Sequence, residues 1–222
     1  MKTISTLILL LLGLAAGFAQ GTLTVGNSFT GFRSPIYGPQ AGDPAASLSG
    51  NGSLSTPTGS TAYTGPLLQG TGFTFAVFYG QSTVSDPNAL TFLVSTTFRT
   101  ATANVLPAGL ITTLVDIPVP GITAGNQAAL QVRVWDNQGG TITSFAFADT
   151  KQSSPIFLSA PLGGVGTGGP VLTPNMTGWQ SFSLTLIPEP GTCAFLGFGC
   201  AMLLAVRRRK FLWRSEGLTR VE

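Results

Sequence analysis

Alternation of apolar and polar residues predicts β-strands along most of this chain. Three stretches, 73–79, 130–135 and 181–186, place apolar side chains on one face and Ser, Thr or charged side chains on the other. A period of two is typical of half-buried antiparallel strands. No stretch of residues 20–187 keeps a helical period. Further strands are predicted at 22–25, 89–94, 110–117, 142–148 and 155–159.

Turn-forming residues separate these predicted strands. The Asp-Asn-Gln-Gly-Gly sequence at 136–140 is expected to close a hairpin between the strands around Gln131 and Phe145. Short strands at this spacing predict a mainly β fold, an antiparallel β-sandwich with either an Ig-like or a jelly-roll outline. Two stretches rich in Gly, Ser, Thr and Pro, 38–72 and 163–178, are predicted to be long loops, with disorder as an alternative.

The N-terminal residues have the pattern of an export signal. Lys2 precedes an apolar stretch at 7–16, and small residues follow at Gly17 and Ala19. This arrangement predicts a signal peptide over residues 1–19, with a short signal helix that the secretion machinery recognises. Signal peptidase is expected to cut between Ala19 and Gln20. The exported domain then spans residues 20–187.

The C-terminal residues predict a short membrane anchor. Residues 191–206 carry no charge, and as a helix these 16 residues span roughly 24 Å, less than the roughly 30 Å of a hydrocarbon core. A basic cluster after such a segment stays on the cytoplasmic side. The sequence therefore predicts a transmembrane helix at 191–206 and a cytoplasmic tail at 211–222. The flanking residues are Pro188, Glu189 and Pro190 before the segment, and Arg207, Arg208, Arg209 and Lys210 after it.

This order of Pro-Glu-Pro, short apolar segment and basic cluster resembles the PEP-CTERM sorting signal of exported bacterial proteins. The resemblance covers residues 188–210 and none of the domain before them; the chain departs from the family pattern by continuing from 211 to 222. It implies a Gram-negative bacterium that makes exopolysaccharide, and processing by exosortase, an integral-membrane cysteine enzyme. The protein would then be anchored transiently in the inner membrane before it reaches the cell surface or the extracellular space.

Charge and cysteine content change once these terminal segments are set apart. The whole chain has a formal net charge of +3, but residues 20–187 contain four Lys or Arg and five Asp, a net charge of −1. The domain therefore lacks the positive charge that drives phosphate binding, so nucleic acid is not an expected partner. Both cysteines, Cys193 and Cys200, lie in the apolar segment.

Residue types needed for most catalysis are missing from the domain. The chain contains no histidine, and residues 20–187 contain no glutamate, which removes the usual general bases and most zinc ligands. We therefore expect no enzyme activity, no catalytic residues, no metal site and no cofactor. The Gly-x-Gly-x-x-Gly motif at 164–169 precedes Pro170 rather than a helix, so it predicts a flexible loop rather than a nucleotide site. Asp136, Asn137 and Asp149 could offer oxygens to calcium, but Asp-Asn at a turn is typical of turn chemistry.

Aromatic residues raise the alternative of a sugar-binding surface. Tyr37 and Tyr63 lie in predicted loops and are the candidate ligand-binding residues, whereas Tyr79 and Trp135 lie on predicted strands and are expected to pack. Two functions follow as expectations. The leading one is an exported structural or adhesive protein of the cell envelope or extracellular matrix. The alternative is a secreted carbohydrate-binding module associated with exopolysaccharide.

Overall fold

The computed structural model describes residues 20–102, 108–166 and 168–187, and almost all of their regular structure is β. Strand pairing is antiparallel throughout the named strands. In chain order the strands are β1 (Gln20–Val25), β2 (Ser28–Phe29), β3 (Phe32–Arg33), β4 (Phe73–Gln81), β5 (Thr91–Thr97), β6 (Leu114–Thr123), β7 (Ala128–Asp136), β8 (Thr150–Ser153), β9 (Phe157–Leu158), β10 (Gly164–Gly166), β11 (Gly169–Val171) and β12 (Thr185–Leu186).

The largest sheet is built around β4 and β7, the two strands with the clearest alternation of apolar and polar residues. Its strand order is β12–β8–β7–β4–β5, and β9 also pairs with β7. In the register between β4 and β7, Phe75 is opposite Val134 and Val77 is opposite Val132. These four side chains are fully buried on one face of the sheet. The predicted strands at 73–79 and 130–135 are therefore confirmed, and each is longer than its pattern alone indicated.

A second, two-stranded sheet of β1 and β6 contributes to the same hydrophobic core. Leu23 and Val25 of β1 and Val119 of β6 are fully buried, in one cluster with Phe75 and other side chains of the large sheet. Burying apolar area of this kind is the main favourable term in folding. The predicted strand at 22–25 is confirmed, whereas the one at 110–117 begins later, at Leu114.

The Gly-rich stretch 163–178 is not only a loop. It contains the short hairpin of β10 and β11, in which Val165 is opposite Pro170. The chain before the hairpin is tied to β1, because Thr22 and Gly163 exchange two backbone hydrogen bonds of 2.9 Å. The Gly-x-Gly-x-x-Gly motif is thus a β-hairpin with no helix after it, and the expectation of a flexible loop there is corrected.

The long segment 38–72 contains no named strand but is packed. Leu67 of the segment forms an isolated bridge with Tyr37, and Gly38 N donates to Pro66 O at 2.7 Å. Glycine is required where the segment contacts itself: a Cβ at Gly59 would collide with the Asn51 carbonyl, and one at Gly65 with the Gly38 carbonyl. The segment 38–72 is thus a loop held by backbone hydrogen bonds and by close glycine contacts.

Several predictions fall outside the described residues. They are the signal peptide at 1–19 with Ala19, the Pro-Glu-Pro motif at 188–190, the transmembrane helix at 191–206, the basic cluster at 207–210 and the tail at 211–222. In residues 20–102, 108–166 and 168–187, no helix is both long and apolar enough to cross a membrane. The described strands all belong to one compact unit that ends at Leu186.

Candidate functional site

A groove of about 840 Å³ lies on the face of the large sheet that points away from the main core. Its floor is formed by side chains that alternate with the buried ones, including Phe78 of β4 and Arg133 of β7. One side is bordered by Pro87 and Asn88 in the connection from β4 to β5. This volume is typical of small-molecule sites in proteins.

The other side of the groove is formed by the connection from β7 to β8. Residues 142–148, predicted as a strand, instead fold over the sheet and include a short 3-10 helix, Phe145–Phe147. The strand that pairs with β7 after this connection is β8, so the predicted hairpin to Phe145 is corrected. Positive φ angles at Gln138, Gly139 and Gly140 turn the chain back.

Packing holds this connection on the sheet. The Trp135 ring is 4% exposed, and its Nε1 donates to the Ile142 carbonyl at 3.1 Å. Trp135 also packs edge-on against Phe145, with ring centroids 6.1 Å apart. The interpretation of Trp135 as a packing residue is therefore confirmed, and its packing shapes the groove.

The Arg133 guanidinium is held in place from three directions. Its Cζ lies 4.0 Å from the centroid of the Phe78 ring, which is cation–π contact. Its Nε donates to Gln131 Oε1 at 2.8 Å, and its Nη2 donates to the Pro87 carbonyl. Gln131 is itself 4% exposed and donates through Nε2 to the Ser154 carbonyl at 3.0 Å. The orientation of Arg133 is therefore fixed before any ligand arrives.

The described residues that line the groove carry positive charge and no carboxylate. Lys151 Nζ lies 5.5 Å from the Phe145 ring centroid and donates to the Ala146 carbonyl at 2.7 Å. Arg133 and Lys151 are two of the four Lys or Arg in residues 20–187, and no carboxylate is among the described residues that line the groove. Burial lowers the pKa of Arg133 below its ordinary value, but an arginine remains protonated in proteins.

Aromatic and neutral polar side chains complete the lining. Phe92 is 53% exposed and meets Phe78 edge-on, with centroids 5.8 Å apart. Asn88, Ser95 and Ser153 add an amide and two hydroxyls. The groove thus combines cations, exposed ring surface and hydrogen-bonding groups.

The two candidate tyrosines lie together, but they do not form an exposed platform. The rings of Tyr37 and Tyr63 are stacked, with centroids 4.0 Å apart and planes 5° apart. Tyr37 is only 6% exposed, and the Tyr63 hydroxyl donates to the carbonyls of Gly50 and Ser181 at 2.6 and 2.7 Å. Their expected role in sugar stacking is corrected, because each ring covers the other and the Tyr63 hydroxyl is engaged within the protein.

The side chains of the Asp-Asn sequence at the end of β7 make hydrogen bonds within the turn that follows. Asp136 Oδ1 accepts from the Gln138 amide at 2.8 Å, and Asn137 Oδ1 accepts from the Gly140 amide at 3.1 Å. Asn137 Nδ2 donates to the Thr71 carbonyl at 2.8 Å. Across the described part of the chain, no group of three or more His, Cys, Asp or Glu side chains is arranged to hold a metal ion.

Sequence reasoning missed the groove, although one signal was available. Gln131 and Arg133 alternate with buried apolar residues on β7, and Lys151 and Ser153 alternate on β8, so all four point to the outer face. Two of the domain's few cations on one sheet face could have indicated a site. Comparisons of the chain with protein-family models, with curated proteins and with solved structures give no significant match.

Proposed function

We propose that this chain is an exported structural or adhesive protein of the cell envelope or extracellular matrix, sorted by its PEP-CTERM-like signal and processed by an exosortase. The supporting observation is the placement of the folded part. Between the two proposed processing sites the chain has a hydrophobic core of its own, which includes Leu23 of β1, Val132 of β7 and Leu184. Cutting outside hydrogen-bonded strands leaves a fold intact.

The same proposal includes the architecture of the domain. The large sheet and the β1–β6 pair share one core: Leu23 and Val119 of the smaller sheet belong to the same buried cluster as Phe75 and Val132 of the larger. Two sheets around one core are typical of a β-sandwich. We propose such a sandwich, with an Ig-like or a jelly-roll outline.

The sorting proposal is tested by replacing Pro188, Glu189 and Pro190 with alanine in a Gram-negative host that has an exosortase. The wild-type protein is expected outside the inner membrane, and the variant is expected to accumulate there at full length. A matched control removes an acid–proline pair from the exposed part of the domain, Asp43→Ala with Pro44→Ala, and should behave as wild type. If both wild type and the triple variant stay in the inner membrane at full length, the segment is a plain anchor.

A second candidate function, carbohydrate binding, is favoured by the groove on the large sheet. Exposed ring surface at Phe92 and hydrogen-bonding groups at Asn88, Ser95 and Ser153 are the side-chain types that bind sugar faces and sugar hydroxyls. We therefore propose that a sugar contacts the groove rather than Tyr37 and Tyr63. A module of this kind could serve an adhesive role in a polysaccharide matrix.

A further inference from the structure

We infer that the groove on the large sheet binds a carboxylated saccharide chain, with Arg133 as the contact to the carboxylate. The inference deepens the proposed carbohydrate-binding role and rests on it; it does not depend on the sorting signal. Three properties of the groove support it: a fixed guanidinium with unused donors, an excess of positive charge, and a lining suited to sugar rings.

The guanidinium of Arg133 has donors left for a ligand. Nε and Nη2 donate to Gln131 and to the Pro87 carbonyl, while Nη1 donates to no described residue. One side of the guanidinium plane is covered by the Phe78 ring. A planar, pre-oriented guanidinium favours a carboxylate over a neutral hydroxyl, because charge-assisted hydrogen bonds are roughly twice as strong as neutral ones. Gln131 acts here as a positioning residue.

The charge of the groove selects an anion. Both cations of the groove, Arg133 and Lys151, lie near the Phe145 ring, at 5.6 and 5.5 Å from its centroid. The described lining offers no carboxylate to balance them, although the domain as a whole carries a net charge of −1. The positive charge is thus local to the groove, and electrostatic complementarity favours a negatively charged ligand there.

The remaining lining distinguishes a saccharide from a small inorganic anion. A phosphate or sulfate ion would need only the cations and would leave the Phe92 ring and the Asn88 amide without a role. A hexuronate chain presents carboxylates for Arg133 and Lys151, C–H faces for the ring, and hydroxyls for the amide and for Ser95. The groove volume of about 840 Å³ is also far larger than one inorganic ion requires.

The test is calorimetric titration of the full chain, purified in mild detergent so that the result is independent of processing. The ligands are a short oligogalacturonate, a neutral oligosaccharide of equal length, and inorganic phosphate. We expect the oligogalacturonate to bind most tightly and its affinity to fall as salt is added. Arg133→Gln should weaken this binding by about 10- to 100-fold. Its matched control, Arg99→Gln, removes a cation outside the groove and should bind as wild type.

A second variant keeps the test decisive if Arg133→Gln does not fold. Phe92→Ala removes an exposed ring from the groove and should weaken oligogalacturonate binding several-fold, about the effect of losing one ring contact. Its control is Phe147→Ala, which removes a ring that is 77% exposed and does not line the groove.

The outcomes separate this inference from the functions proposed above. Equal affinity for the neutral and the acidic oligosaccharide would overturn the role of charge and leave carbohydrate binding in place. Binding of phosphate alone, or of no ligand, would overturn both the role of charge and the proposed carbohydrate binding. Wild-type affinity in both Arg133→Gln and Phe92→Ala would show that any binding site lies elsewhere on the protein. None of these results depends on where the cell delivers the chain.

Discussion

At the scale of single residues, buried hydrogen bonds decide which polar side chains the fold requires. Tyr63 is the clearest case away from the groove. Its hydroxyl donates to the carbonyls of Gly50 and Ser181, and its ring covers Tyr37. These contacts tie the long segment 38–72 to the chain before β12. We infer that the tyrosine pair stabilises the fold rather than binding a ligand.

Replacing this hydroxyl should therefore cost stability. Tyr63→Phe keeps the stacked ring but removes the one hydroxyl proton that the Gly50 and Ser181 carbonyls share, which costs about 1–3 kcal/mol of unfolding free energy. Urea unfolding of the purified protein measures the loss. Tyr79→Phe is the matched control, because the Tyr79 hydroxyl makes no hydrogen bond to any described residue. Equal midpoints for Tyr63→Phe and wild type would show that the hydroxyl contributes nothing.

The same residue predicts a pH dependence in the alkaline range. Burial raises the pKa of Tyr63 above the ordinary value of about 10, and the neighbouring Tyr37 raises it further. The stabilising effect is fully present below pH of about 10, and it decreases at higher pH because the unfolded tyrosine loses its proton first. The stability difference between wild type and Tyr63→Phe should therefore narrow as pH rises above about 10. A difference that stays constant or widens would contradict this.

At the scale of elements, the connection from β7 to β8 determines whether a groove exists. Its turn depends on backbone angles that only glycine adopts readily, with φ of +69° at Gly139 and +97° at Gly140. After the turn, Ile142 and Phe145 pack on the outer face of the sheet beside Trp135. The groove wall is thus a consequence of one short segment of left-handed backbone.

A pair of glycine substitutions isolates this backbone effect. A Cβ added at Gly140 or at Gly42 would meet no atom within 4 Å, but only Gly140 has a positive φ. Gly140→Ala should therefore lower the unfolding free energy by about 1–3 kcal/mol from backbone strain alone. Gly42→Ala should be within about 0.5 kcal/mol of wild type. Chemical denaturation of both variants gives the comparison, and an equal effect in the two would show that the φ angle at Gly140 is not restrictive.

Sequence predicts well the strands whose pattern depends only on residues that are close together along the chain. The strands β4 and β7 follow from period-two alternation, because a side chain's face depends only on its position along the strand. Residues 142–148 are also predicted as a strand, yet they pack across the sheet instead of joining it. Their position depends on Trp135 and on the turn before them, which are tertiary contacts that no local pattern contains.

The two cations on one sheet face were a signal for the groove, but its full lining was not predictable, for the same reason. Arg133 and Phe78 belong to different strands, and the register that brings them together is set by the whole sheet. Conversely, Tyr37 and Tyr63 looked like loop aromatics free to bind, because their mutual stacking joins positions far apart along the chain. Sequence indicates which face a side chain occupies, but the partners on that face come from the fold.

At the scale of the whole molecule, the chain divides into a folded domain and two proposed sorting segments, the signal peptide at 1–19 and the PEP-CTERM-like signal at 188–210. The domain is nearly neutral, with a net charge of −1 over residues 20–187, whereas the positive excess lies at the two ends. Removal of both ends would change the basic full chain into a weakly acidic product. The remaining cations that line the groove would then be the main attraction for an acidic polymer.

The most direct test of export with processing at both ends is the intact mass of the protein recovered outside the inner membrane of its host. Cleavage by signal peptidase and by an exosortase predicts a product that begins at Gln20 and ends near Pro188–Pro190, without Arg207–Lys210. Recovery only of a chain that retains residues 1–19 or 207–210 would contradict it.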